Sequence, residues 1–499
     1  MGETRPEGTP RAGAGGDDGG PRSAAEAFGL ARSLTWVDGF SIALGVPVLM
    51  LFSVGSIVVL AGTLSPLIWL ISITIGFLQA FVFAEMAGLF PHKSGGHSLY
   101  GSEAWRRRNR FVPPMNIWGN WFAWSPVLAI SALLIGSYAQ SQWFSSVDWK
   151  VSFGPFSITL ATVIGAGVLL AIFWMNHFSI KDSARVQQVL GVISIIPLAL
   201  LILVPIFQGK VHLDNLTPFA PPSGDWLSWG TFEVFAAGLF VAAWSAYAFE
   251  TAICYTAEYR NPGRDAPRAI LAAGVLNIVF YVLGPLVLLG VVGVERISQD
   301  PSVAFAPLAR DVFGAGSDIV IVLLIISLVL IINTAILGSA RTLFQASIEG
   351  YTLRGLQKVS KHKVPTRAMG FDVVVNLLLM MLGTPIAILA ASTVGYMLTN
   401  IFDLVAARWL RRDTAGVDAP YRAPTPFVRL AVVFAGLNMV LLFVGGPTWG
   451  WGPMALGWGI VLLAIPFYLY RRHADARAAG AAAEPPSQIY TLQTQEKTA

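Results

Sequence analysis

The sequence predicts an all-α protein that crosses a lipid bilayer about twelve times. Three observations carry that prediction. Of the 499 residues 55% are hydrophobic and only 12% are charged, about half the charged share of a soluble domain. Apolar runs near the ~20 residues that a bilayer demands recur between Val37 and Tyr470. Lys and Arg are sorted by side, 29 of the 33 falling in segments on the N-terminal side of the membrane. Only Lys150, Lys210, Arg296 and Arg310 lie opposite. By the positive-inside rule both termini are then cytoplasmic, in a cell membrane. Alternating strand patterns of the β-barrel kind are absent.

The expected spans, numbered one to twelve below, cover roughly 37–61, 66–90, 113–141, 156–176, 186–208, 232–257, 267–293, 318–343, 368–383, 385–409, 427–445 and 453–471. Residues 1–33 are rich in Gly, Ala, Pro and charge and read as a disordered cytoplasmic tail, as do residues 473–499. No apolar stretch in the first tail could serve as a secretory signal. The domain between them is 34–472.

Composition also excludes. The net charge of +5 is spread over membrane-flanking loops and is no nucleic-acid signal. The single cysteine, Cys254, rules out an intramolecular disulfide and reads as a small core residue. His92, His97, His177, His212, His362 and His473 lie in or beside expected loops without metal-ligand spacing, so no metal centre is expected. No nucleophile is paired with a base and no cofactor motif is visible, which argues against an enzyme. Asp38 and Asp403 fall near helix ends on the basic side, where an acid can be solvated.

The most informative stretch runs from Trp244 to Ile270. Its first half places Glu250 inside an apolar span. A carboxyl near the bilayer midplane costs on the order of 2.5 kcal/mol or more and is kept where it faces a cavity or a partner. Its second half turns at Asn261-Pro262-Gly263, and Asp265 with Pro267 starts the next helix. An ionisable group inside a span points to a transporter of a small molecule.

Four separated motifs now resemble the amino acid–polyamine–organocation superfamily of permeases. Ala84-Glu85-Met86-Ala87 followed by Phe90-Pro91-His92-Lys93-Ser94-Gly95-Gly96 looks like that family's signature at the end of span two. Phe178 to Gln187 is similar to its link between spans four and five, Glu250 to Ile270 to its sixth-span motif, and Gly338 to Phe344 to the end of span eight. The resemblance implies an inverted repeat of five plus five spans, about 36–208 and 231–410, with two extra helices at about 427–471. It further implies that spans one and six are broken at the midplane and bind substrate there. Irregular backbone is tolerated in a membrane where it lines a cavity. Secondary transport of an amino acid or related amine by alternating access would follow, with a polyamine or amine exchanger and a non-transporting ligand sensor as alternatives.

The substrate-binding candidates are Gly45, Pro47, Ser53 and Gly55 of span one and Trp244, Ser245, Tyr247 and Glu250 of span six. Glu250 matches the family's sixth-span glutamate and Trp244 its aromatic gate. In span six the stretch Trp244 to Phe249 has neither Gly nor Pro, so the break is not placed by sequence. Two departures matter. The Gly-x-Gly element that holds a substrate carboxylate in the family is replaced by the run Val46 to Ser53, with bulky Leu and Met in it. The span-five lysine of many proton-coupled relatives is replaced by Ser194. Ser194, Asn333 and Thr334 are oxygen-bearing candidates for ion coupling, and the ion stays open between H⁺ and Na⁺. Glu85, Arg185, Arg264, Asp265, Arg268 and Arg341 are candidates for a cytoplasmic gate, or for helix capping and topology signals. Substrate identity and oligomeric state are not fixed by any of these residues.

Overall fold

The structure is a computed structural model, and it describes residues 34–91, 96–178, 184–360, 364–416 and 419–479. The two expected tails up to residue 33 and from 480, and the side chain of Arg185, lie outside the described residues. Every expected span is largely helical. Among the described residues nine helical stretches are long and apolar enough to cross a membrane, and Trp36–Phe52 and Gly191–Phe207 are shorter apolar pieces. Outward side chains such as Met175, Ile319 and Val433 are apolar and exposed, as lipid contact requires.

Capping chemistry sets several boundaries. Span six starts where the Ser228 side chain accepts from the Thr231 N–H, and span ten where Thr384 does the same for Ala387 ahead of Pro385. The turn before span seven forms as its residues dictate. Pro262 takes the first helical position and the Asp265 carboxylate accepts from the Asn261 N–H at 3.1 Å. The helix therefore begins five residues before the expected 267. Span four begins at Leu160, because 156–159 pair instead with 150–153 as an antiparallel hairpin. The last helix runs to Ala479, past the expected limit of the domain at residue 472.

Spans one and six depart from regular helix. Span one opens with Trp36–Ile42, tightens into a 3-10 helix over Ala43–Phe52, bends at Ser53 and resumes as Val54–Ala61. Pro47 lies inside the 3-10 stretch and removes a donor. Span six is α-helical over Trp229–Ala246 and 3-10 over Ala248–Glu258, with a further kink at Tyr255. Runs of 3-10 helix beyond three or four residues are uncommon and mark hinges or strain. The break that sequence could not place in span six is therefore at Ala246–Ala248. It forms without Gly or Pro.

Around these two spans the others make a wall. Span two packs along span seven, and span three along span ten. The short helix His97–Arg106 after span two lies against spans three and ten. That placement brings a loop-flanking histidine into the protein interior.

Candidate functional site

The two breaks meet. Ser245 Oγ donates to the Leu49 carbonyl at 3.1 Å, and Trp244 stacks on Phe52 with ring centroids 5.7 Å apart. The Trp244 indole N–H is spent on the Ala123 carbonyl of span three, at 3.1 Å. Between the breaks stands Tyr281 of span seven. Its hydroxyl is 3.0 Å from the Val46 carbonyl and 2.9 Å from the Ser245 carbonyl. One O–H offers a single proton, so the two carbonyls freed by the breaks share it. Trp69 of span two stacks on the Tyr281 ring at 5.2 Å and fixes it. Sequence gave no reason to single out Tyr281, since a tyrosine in a span reads as ordinary packing.

The remaining candidates of span one divide. Ser53 is buried, and its hydroxyl has no partner among the described residues. The helix beyond it makes its first hydrogen bond from Ile57 N–H to the Ser53 carbonyl, so the preceding N–H groups are free of intrahelical partners. Gly45 faces Ser194, whose hydroxyl turns back to the Gly191 carbonyl. Pro47 is buried within the 3-10 stretch. Gly55 serves packing, because a methyl group there would overlap the Pro301 backbone. Tyr247 lies beside Gln79 and near the ring of Tyr396.

Glu250, two residues past the break, is 2% exposed. Its Oε2 lies 2.7 Å from His97 Nε2. The pair is within ion-pair reach but is not aligned for a hydrogen bond, and both Glu250 oxygens lack a hydrogen-bond partner among the described residues. The other ring nitrogen of His97, Nδ1, meets the Asp403 carboxylate of span ten. Asn116 of span three donates to Asp403 Oδ1 at 2.7 Å. Phe83 of span two stacks on the imidazole with centroids 4.5 Å apart. A methyl group at Gly101 would overlap the Asp403 carboxylate, so this glycine is what lets the acid approach.

Two expectations are overturned here. His97 is 1% exposed and Asp403 is 0% exposed, so neither is a solvated loop or helix-end residue. The helix after span two is drawn inward, and Asp403 sits ten residues inside a helix that runs on to Asp413. The signal was present for Asp403, an acid within an apolar run, and is the same one that picked out Glu250. His97 had no such signal. Only the tertiary fold carries it to the carboxylates.

The ion-coupling and gate candidates scatter. Asn333 accepts from Asn176 of span four at 2.7 Å, and Thr334 bonds back to its own helix at Leu330. Among the described residues neither is hydrogen-bonded to Ser194. Glu85 pairs with Arg411 at 3.4 Å and Arg422 at 3.2 Å, and accepts from the Ala423 N–H at 2.9 Å. Arg264 and Arg268 make no ion pair with it among the described residues, Asp265 caps span seven, and Arg341 faces Glu258. The charge cluster at this rim thus uses two arginines that sequence had not singled out.

With this geometry in hand, a comparison with known families is decisive: residues 34–465 match the model of the amino acid permease family. The chain belongs to that family. Among similar proteins is the D-serine/D-alanine/glycine transporter of Escherichia coli strain K12, 23% identical over 325 residues. That match covers 64% of this chain and 65% of the transporter, so the chain spans a little under two thirds of that relative's length. The branched-chain amino acid permease BcaP of Bacillus subtilis is 26% identical over 369 residues, covering 70% of this chain and 74% of the permease. The putrescine transporter PotE of Escherichia coli strain K12 is 23% identical over 317 residues, covering 62% and 66%. The permease family comprises transport proteins, in accord with a sequence that offers no enzyme chemistry.

Proposed function

We propose that this permease is a secondary transporter that moves an amino acid or a related amine across the cell membrane by alternating access. The single observation that carries the reading is the meeting of two helix breaks in spans one and six beside a buried glutamate. Broken spans expose unpaired backbone groups, and these are kept in a membrane protein where they line a binding site. The free N–H groups beyond Ser53 would take a carboxylate without the missing glycines, and Glu250 would take an ammonium. Trp244 against Phe52 would close over the bound molecule. The twelve-span count, the five-plus-five repeat and cytoplasmic termini belong to the same proposal.

A specific observation favours a second reading, an amine exchanger. The bulky run Val46 to Phe52 crowds the carboxylate side, while neither Glu250 oxygen has a hydrogen bond among the described residues. Counterflow in proteoliposomes separates the two. The purified chain is reconstituted with unlabelled glycine, alanine, leucine, phenylalanine or putrescine inside, and entry of the labelled compound is followed. Saturable entry of an amino acid supports the first reading, and entry of putrescine alone supports the second. A panel without counterflow, alongside ligand-dependent thermal stabilisation, would overturn both in favour of a sensor on this fold.

A further inference from the structure

We propose that His97, Glu250 and Asp403 form a proton-coupling site, closed with two protons bound and releasing the one on Glu250 when this face of the protein opens to water. The inference rests on the transport reading and adds to it the identity of the coupling ion. It places coupling at a cluster that does not include Ser194, the position where related permeases carry a lysine.

Charge counting makes the case. With the imidazole neutral and both carboxylates ionised the cluster has a charge of −2. Among the described residues neither carboxylate pairs with Lys or Arg. Each uncompensated charge buried here costs several kcal/mol. Two protons bring the cluster to neutrality. The first belongs on the imidazole, because both of its nitrogens face a carboxylate, Nδ1 in a hydrogen bond with Asp403 and Nε2 within ion-pair reach of Glu250, and a positive ring is attracted to both.

The second proton has one place to go. Asp403 has both oxygens engaged, one by Asn116 and one by His97. Glu250 has two oxygens without a well-aligned hydrogen bond among the described residues, and the Tyr396 hydroxyl lies beside it. A protonated Glu250 can donate to a neighbouring acceptor and removes the last net charge. The reaction is a plain protonation, –COO⁻ plus H⁺ giving –COOH, and needs no further reactant. Deprotonation restores a charge that must then meet water or a substrate ammonium. Loss of the proton is thereby linked to opening, and regain to closing.

The groups around the cluster are consistent with this assignment. Span two contributes Phe83 and span three Asn116, neither of them titratable at ordinary pH. Span six contributes Cys254 beside Glu250, and the short helix contributes Tyr100, whose hydroxyl donates to the Ile253 carbonyl at 3.1 Å. Glu103 on that helix faces Arg106 instead, at 3.5 Å. Span ten contributes Tyr396 and Asp403. His97 is the sole cation-forming group in contact with either acid among the described residues.

The test uses the full chain in detergent or lipid and needs no substrate. Infrared difference spectra across about pH 5 to 8 should show a buried protonated carboxyl band that is absent in Glu250→Gln and shifted in Glu250→Asp. Carbon-13 spectra of labelled histidine, with His97 assigned by His97→Gln, should show its imidazolium persisting above the pH where a free histidine titrates. Asp403→Asn should bring that titration down, as should Glu250→Gln. A band that survives Glu250→Gln unchanged, or a His97 that titrates near 6.5 whatever stands at 250 and 403, would overturn the proposal. These readouts decide the proton site even if counterflow fails for every compound tried, so the two readings fail separately.

Discussion

Two buried carboxylates in this permease have opposite surroundings. Asp372 of span nine is 0% exposed, like the acids of the His97 cluster, but its oxygens are met by neutral donors. Ser339 of span eight bonds one oxygen, and the Trp121 indole of span three donates to the other at 3.1 Å. Behind it Asn376 donates to Ser125 at 2.9 Å and accepts from the Ala129 N–H at 3.1 Å. Glu250 has an imidazole on one side and, among the described residues, no hydrogen bond to either oxygen. A saturated acid fastens helices to one another. An unsaturated one is expensive to keep and holds chemistry in reserve.

That contrast can be broken or sharpened by substitution. The largest effect is expected at Glu250. Glu250→Gln should bring driven uptake in proteoliposomes to background while gel filtration still shows a folded particle, because the amide keeps the shape and loses the exchangeable proton. Wild-type uptake in that variant would sink the assignment of this acid to the site.

Next comes Gly101→Ala, which presses a methyl group into the Asp403 carboxylate. Overpacking of this kind costs typically about 1–3 kcal/mol. The melting temperature should fall and the His97 titration should move with it. An unchanged titration would separate the close approach at Gly101 from the behaviour of the cluster.

Tyr281→Phe is predicted to be smaller in stability and plain in function. It removes the hydroxyl shared by the carbonyls of Val46 and Ser245, a loss of about 0.6 kcal/mol and at most roughly 1.7 for a hydrogen bond inside a membrane protein. Uptake should slow because the two breaks lose their common anchor. Equal rates per folded molecule would make Tyr281 a packing residue.

Ser339→Ala should be the mildest. Asp372 keeps its Trp121 donor, so thermal stability should drop by an amount of the same order, about 0.6 kcal/mol, with uptake per folded molecule unchanged. A transport defect as large as that of Glu250→Gln would erase the distinction between the two acids.

The sequence by itself determined the membrane class and the order of the apolar segments, and it singled out Glu250 as an acid inside a span. Hydropathy and the price of a charge in a span are local quantities, and they survive without knowledge of any contact. The family followed from motifs that keep fixed spacing along the chain, and the turn at Asn261-Pro262-Gly263 folds as its residues require. The same local rule, applied evenly, would also have marked Asp372 and Asp403.

Tertiary structure alone decided the rest. It carried His97 from a loop flank to a position between two acids contributed by spans six and ten. It joined Glu85 to Arg411 and Arg422 in place of the arginines nearer the matched motif. It set Tyr281 across both breaks, and it put the span-six break at Ala246–Ala248 with no Gly or Pro to announce it. Each of these depends on which helix faces which. Partners far apart in the chain are brought together by packing, and packing leaves no periodic trace in one sequence.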